Sequence, residues 1–105
     1  MVKRVFVFSL PEGSDPDEFW KFWEEVHAAE FKKFPALRKY IIHRDTKVVK
    51  GEQKFWGFGE LWYDSEEAYN QAREGSPVVE RVSSDGYSER VIDEFSAWVE
   101  EKVIL

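Results

Sequence analysis

FWGFGELWY, residues 55–63, decides how this chain folds. Aromatic and aliphatic residues dominate it, a turn-forming Lys50-Gly51-Glu52-Gln53-Lys54 precedes it and Asp64-Ser65 follows, so it reads as a strand. Alternation puts Phe55, Gly57, Gly59, Leu61 and Tyr63 on one face and Trp56, Phe58 and Trp62 on the other. Both faces are apolar, and both need cover. Upstream, Leu37 to Val49 (LRKYIIHRDTKVV) is a second strand, and the two form a hairpin. Downstream, Asp64-Ser65 caps a short helix, SEEAYNQARE, with Gly75 beyond its end.

The N-terminal half repeats the theme. Lys3 to Leu10 (KRVFVFSL) is a strand apolar on both sides, Val5 and Val7 against Phe6 and Phe8, and Pro11-Glu12-Gly13 ends it. Asp15 as N-cap, Pro16 at the first helical position and Glu18 in capping-box register start a helix that runs to Phe34, where Pro35 stops it. In residues 76–90, Ser76-Pro77 can cap a short helix, whereas Ser83-Ser84-Asp85-Gly86 spells a loop, and a lid-like segment is expected. The alternation of FSAWVEEKVIL at the C-terminus is imperfect; the element count favours a final strand.

Strand, helix, hairpin, helix, strand is the split βαβ arrangement of an α+β ferredoxin-like βαββαβ sandwich, an antiparallel sheet with both helices on one face and strands one and three at its centre. Those two strands are the ones apolar on both sides. A second copy of the chain, sheet on sheet in a two-fold homodimer, is the simplest cover for the remaining face.

Composition agrees with one domain spanning residues 1–105: 43% hydrophobic and 34% charged. A net charge of −6 with basic residues interspersed among acidic ones offers no footprint for nucleic acid. The absence of cysteine removes disulfides, thiolate metal sites and thiol nucleophiles. The N-terminal apolar run is too short and too alternating for a signal peptide, and no stretch approaches the ~20 residues that span a bilayer, so a cytoplasmic protein with no membrane partner is expected.

The first helix carries the candidate chemistry. FWKFWEEVHAAEFKKF, residues 19–34, holds six large aromatic side chains and one histidine. At about 100° per residue from His27, Trp20 falls near +20°, Phe34 near −20°, Trp23 near −40°, Phe31 near +40° and Glu30 near −60°. His27 and Glu30 therefore share the apolar arc, while Glu18, Lys21, Glu25, Ala28 and Lys32 form a solvated face. Burying two such groups without partners costs about 1–3 kcal/mol each, which leaves two readings: a neutral, hydrogen-bonded structural histidine, or a functional one. Gly57 and Gly59 opposite the helix leave either a hollow for a ligand or room for a bulky Trp or Phe.

F-W-x-x-V-H (Phe22 to His27), F-P-A-L-R-K-Y (Phe34 to Tyr40) and G-E-L-W-Y-D-S-E-E-A (Gly59 to Ala68), with the C-terminal F-x-x-W-V-E-E (Phe95 to Glu101), resemble the EthD-like branch of the dimeric α+β barrel superfamily, and within it the methylmuconolactone methyl-isomerase type. The resemblance implies a ligand cavity inside each protomer, between sheet and helices, with the helix histidine, matched by His27, and a tyrosine, matched by Tyr40, facing it. It also marks two departures. Leu61 stands where the methyl-isomerases carry a cysteine, and their second histidine has no match. His43, of opposite parity to Tyr40, belongs to the other sheet face or the edge.

These residues suit a cofactor-independent enzyme of the isomerase or cyclase/lyase type acting on a small cyclic or aromatic carbonyl compound such as a lactone or polyketide. His27 would serve as general base or acid, Tyr40 as donor to a developing enolate oxygen, and Glu30 as ring orienter or second base. Trp20, Trp23, Phe31, Phe55, Gly57, Gly59, Leu61 and Tyr63 are the expected ligand walls. One His and one Glu on one helix face are too few for a metal site, and no cofactor is expected. The alternatives are an aromatic-ligand- or haem-binding accessory protein without catalysis, a cofactor-less monooxygenase, and a barrel whose aromatic residues simply fill its interior.

Overall fold

The computed structural model describes all 105 residues. Four strands, β1 (Val2–Ser9), β2 (Leu37–Arg44), β3 (Gly57–Tyr63) and β4 (Ile92–Val99), form one antiparallel sheet in the order β2-β3-β1-β4. This is the ferredoxin-like α+β order, with the two doubly apolar strands at the centre. Helix α1 follows β1 and has three parts: Pro16–Phe22, a π-helical turn Trp23–His27, and Ala28–Phe31. After the β2–β3 hairpin come α2 (Glu66–Arg73), α3 (Pro77–Ser83) and the single turn α4 (Tyr87–Arg90).

Local chemistry sets the element ends. Asp15 Oδ1 accepts from the backbone N–H groups of Asp17 and Glu18, both at 3.1 Å, ahead of Pro16. The helix ends at Phe31, three residues before Phe34, and the chain turns through Lys32–Phe34 into Pro35. Both hairpin strands are shorter than their apolar runs: residues 45–56 form an irregular connection closed by Asp45 N–H to Trp56 O at 2.8 Å, so Phe55 lies outside β3. Residues 76–90 are mostly helical rather than loop. Ser76 caps α3 through the Val79 N–H, and only 84–86 separate α3 from α4.

All helices pack on one face of the sheet. Burial along β3 alternates strictly, with Gly57, Gly59, Leu61 and Tyr63 inward and Phe58, Glu60 and Trp62 half-buried outward. The inward face carries two aromatic clusters. One gathers Phe8, Phe19, Trp23 and Val91 with Trp56 against it; the other gathers Phe34, Leu61, Tyr63 and Val78 with Tyr69 and Trp98. Phe6 packs on both. The outward face holds Val5, Val7, Ile41, Phe58 and Trp62 around a polar cluster in which the Glu60 carboxylate meets Lys3 and, at 2.8 Å, His43 Nε2. Burial opposes ionisation of Glu60, but Lys3 and His43 outweigh it and hold the carboxyl below its usual range. His43 stacks on Phe58 on this face, 4.1 Å between ring centres, as its parity implied.

Candidate active site

His27 is the last residue of the π turn. There the Ala28 N–H reaches back five residues to Trp23 O, one more than in an α-helix, so the side chains before the turn are rotated by about 100° relative to those after it. His27 Nδ1 lies 2.7 Å from Asp85 Oδ2, and the Tyr87 ring stacks flat on the imidazole at 4.0 Å. The two partners arrive together because Asp85 Oδ1 accepts the Tyr87 N–H at 2.9 Å, across Gly86 with its φ of 95°. An ionised carboxylate only accepts, so Nδ1 carries the hydrogen and Nε2 the free lone pair. Burial pushes the imidazole below its ordinary value of 6.5, and Asp85 recovers part of that shift.

A cavity of about 470 Å³ opens between the two aromatic clusters, with His27, Tyr87 and Phe31 on the helix side and Arg4, Phe6, Tyr40, Leu61 and Tyr63 on the sheet side. Its mouth runs along β4. A register shift between Val7 and Phe8 bulges that strand, and Asp93, Glu94, Phe95 and Ser96 all touch the cavity. Burial pushes the Tyr40 phenol up to about 12, against the opposing pull of the Trp23 indole N–H, which lies close without closing a hydrogen bond of good geometry. The phenols of Tyr63 and Tyr87 are also raised, chiefly by burial, and the Tyr87 hydroxyl has no hydrogen-bond partner. All three stay protonated and donor-competent at neutral pH.

Of the residues expected at the site, His27, Tyr40, Phe31, Leu61 and Tyr63 meet around the cavity. The others stand elsewhere, each for a physical reason. Glu30 is turned away and held by Arg81 and by Lys33 at 3.0 Å; these cations keep its carboxyl below the usual range. Trp23 is wholly buried in the first cluster. Trp20 is moved to the rim by the π turn, edge-to-face with Trp23 and Trp56 beneath the Arg44 guanidinium. Phe55 is exposed on the connection before β3.

The glycine hollow is not ligand space. A Cβ on Gly59 would run into the Phe6 ring, and one on Gly57 would stand 2.5 Å from His43 O, so Phe6 of β1 and the β2 backbone occupy what the glycines vacate. The residues missed by sequence are Asp85, Tyr87, Tyr69 and Arg4. Arg4 carried a readable signal, since it shares parity with Phe6 and Phe8. Asp85 and Tyr87 carried none beyond their turn chemistry. No three His, Cys, Asp or Glu side chains cluster to hold a metal ion, and no helix is long and apolar enough to cross a membrane.

No curated protein sequence matches the chain, but solved structures do. It is similar to an ethyl tert-butyl ether D (EthD) family protein from Bacillus halodurans, at 22% identity and TM-score 0.73, over 97% of this chain and 100% of that one. SnoaB, a cofactor-independent oxygenase from Streptomyces nogalater, solved as a mutant, superposes at TM-score 0.68 with 14% identity, over 99% of this chain and 95% of that one. A dimeric ferredoxin-like protein of unknown function from Thermobifida fusca gives 0.66 with 14% identity, over 93% and 88%. At such identities the likeness is one of fold. The EthD domain, in contrast, matches residues 11–94, from the turn before α1 into β4, and the chain belongs to that family.

Proposed function

We propose that the protein is a cofactor-independent proton-transfer enzyme of the isomerase or cyclase type, acting on a small cyclic or aromatic carbonyl compound. The observation that carries this reading is the His27–Asp85 pair at the wall of an aromatic-lined cavity. Nε2 of the neutral imidazole takes a proton from carbon next to the carbonyl, and Asp85 stabilises the imidazolium that forms. The Tyr40 phenol, held protonated by burial, donates to the developing enolate oxygen. Return of the proton at another carbon completes an isomerisation; attack of the enolate on a second carbonyl completes a cyclisation. The flat lining favours a planar ring system as ligand.

The fold likeness to a cofactor-independent oxygenase supports a second outcome for the same first step, in which the carbanion formed at His27 is captured by dioxygen. A homodimer through the outward sheet face belongs to this proposal, supported by the apolar residues on that face and by the dimeric state of the Thermobifida fusca relative.

Deuterium wash-in tests the proton step without knowledge of the natural substrate. With 2-tetralone and a β,γ-unsaturated butenolide as probes in deuterated water, NMR should show enzyme-dependent exchange at the carbon next to the carbonyl, lost in His27→Ala while the circular dichroism spectrum is kept. Absence of exchange in the native enzyme, or exchange that survives His27→Ala, sinks the reading.

A further inference from the structure

The cavity contains a charged group that the proton transfer does not use. Arg4 follows the alternation that turns Phe6 and Phe8 toward the helices, so a guanidinium stands where the neighbouring positions carry core side chains. It sits against the paired rings of Trp98 and Tyr69, 5.2 and 5.7 Å from their centres, and its Nε donates to Ser96 Oγ at 3.0 Å. Arg4 is the one Lys or Arg that lines the cavity, and no carboxylate pairs with it. Aromatic stacking and the Nε bond fix the plane of the group. Its two terminal nitrogens, the fork that matches a carboxylate, have no protein partner.

Resting on the reading of this cavity as a ligand site, we infer that Arg4 is its carboxylate-binding residue and that the ligand is an aromatic carboxylic acid. The acid group sits on the Arg4 fork, and the reacting carbon faces His27. The charge layout of the cavity gives the ligand one orientation. Arg4 is level with Trp98 and Leu61, whereas the acidic residues of the mouth stand at the other end, with Asp93 opposite Phe8 and Glu94 bonded to Ser9 Oγ at 2.6 Å. The backbone positions of Arg4 and Phe8 are four steps apart along β1, about 13 Å. An anion is attracted to the first end and repelled from the second.

Calorimetric titration with 2-naphthoate and its neutral counterpart 2-naphthamide tests this inference. The native protein should bind the acid about tenfold or more tightly than the amide, as expected for a charge-assisted bidentate contact. Arg4→Gln should bring the two within about twofold, chiefly by weakening the acid, with an unchanged near-ultraviolet circular dichroism spectrum showing the aromatic packing intact, and Arg4→Lys should keep part of the preference. A salt titration of the native protein needs no variant: acid affinity falls with ionic strength and amide affinity does not. Equal binding of the two probes, no binding of the acid, a salt-independent preference, or a preference that persists in Arg4→Gln overturns the inference. His27→Ala should keep the preference, so a failure here shows in binding and a failure of the proton-transfer reading shows in exchange.

Discussion

At the scale of single residues, the site is a histidine whose two nitrogens have different neighbours. His27 was legible in sequence as a polar group in an aromatic arc, and Tyr40 through the resemblance to the methyl-isomerase type. Asp85 was not, because a Ser-Ser-Asp-Gly stretch signals a loop and says nothing of where that loop lands. Its role gives a sharp expectation: Asp85→Asn offers Nδ1 a neutral acceptor, removes the charge that stabilises imidazolium, and should lower kcat roughly 10²–10⁴-fold in a rate assay on any substrate found. The pH dependence follows from the lowered imidazole value. Proton-transfer activity should be flat around neutrality and fall only below pH 6.5, with an apparent midpoint under that value in a kcat/KM profile. Stability has the same sign. The unfolded chain takes up a proton near 6.5 and the native one only at lower pH, so this contribution is complete above 6.5 and is lost as the pH falls through the native value. Urea midpoints measured in His27→Ala should lack that component.

At the scale of elements, α1 and the glycine strand explain why half of the expected walls are not walls. A uniform step of about 100° put Trp20, Trp23, His27 and Glu30 in one arc, but the extra residue in the π turn rotates the first half of the helix. That brings Phe19 near the centre of its face, where it is buried, and sends Trp20 to the rim. The widened hydrogen bonding of the π turn, with the Ala28 N–H reaching five residues back to Trp23 O, undoes the sequence reading, and no propensity forecasts it. The strand fails the reading differently. Gly57 and Gly59 do mark close approach, but of the neighbouring strands rather than of a helix or a ligand. Gly59→Ala should therefore destabilise the fold by about 1–3 kcal/mol in urea unfolding, through the clash with Phe6. In a Phe6→Ala background most of that cost should vanish, a coupling that a double-mutant cycle reads directly.

For the whole molecule, strand order and helix placement were legible, because each depends on patterns many residues long: two doubly apolar strands, one capped helix, one hairpin. The body measures 37 × 37 × 19 Å and buries only ten residues fully, the proportions of a slab with one covered face. The proposed homodimer would thicken it through the outward face. Sedimentation velocity of the native chain should give twice the monomer mass, and Val7→Lys or Ile41→Glu should give monomers with unchanged helical circular dichroism; a native monomer at micromolar concentration contradicts the proposal. The 58-residue separation of His27 from Asp85 also bears on biosynthesis. The base leaves the ribosome with β1 and α1, while its carboxylate and its stacking ring come only just ahead of β4, the strand that must return to β1 at the far side of the sheet. A chain ending before Asp85 thus leaves the His27 imidazole without its carboxylate partner and its stacking ring.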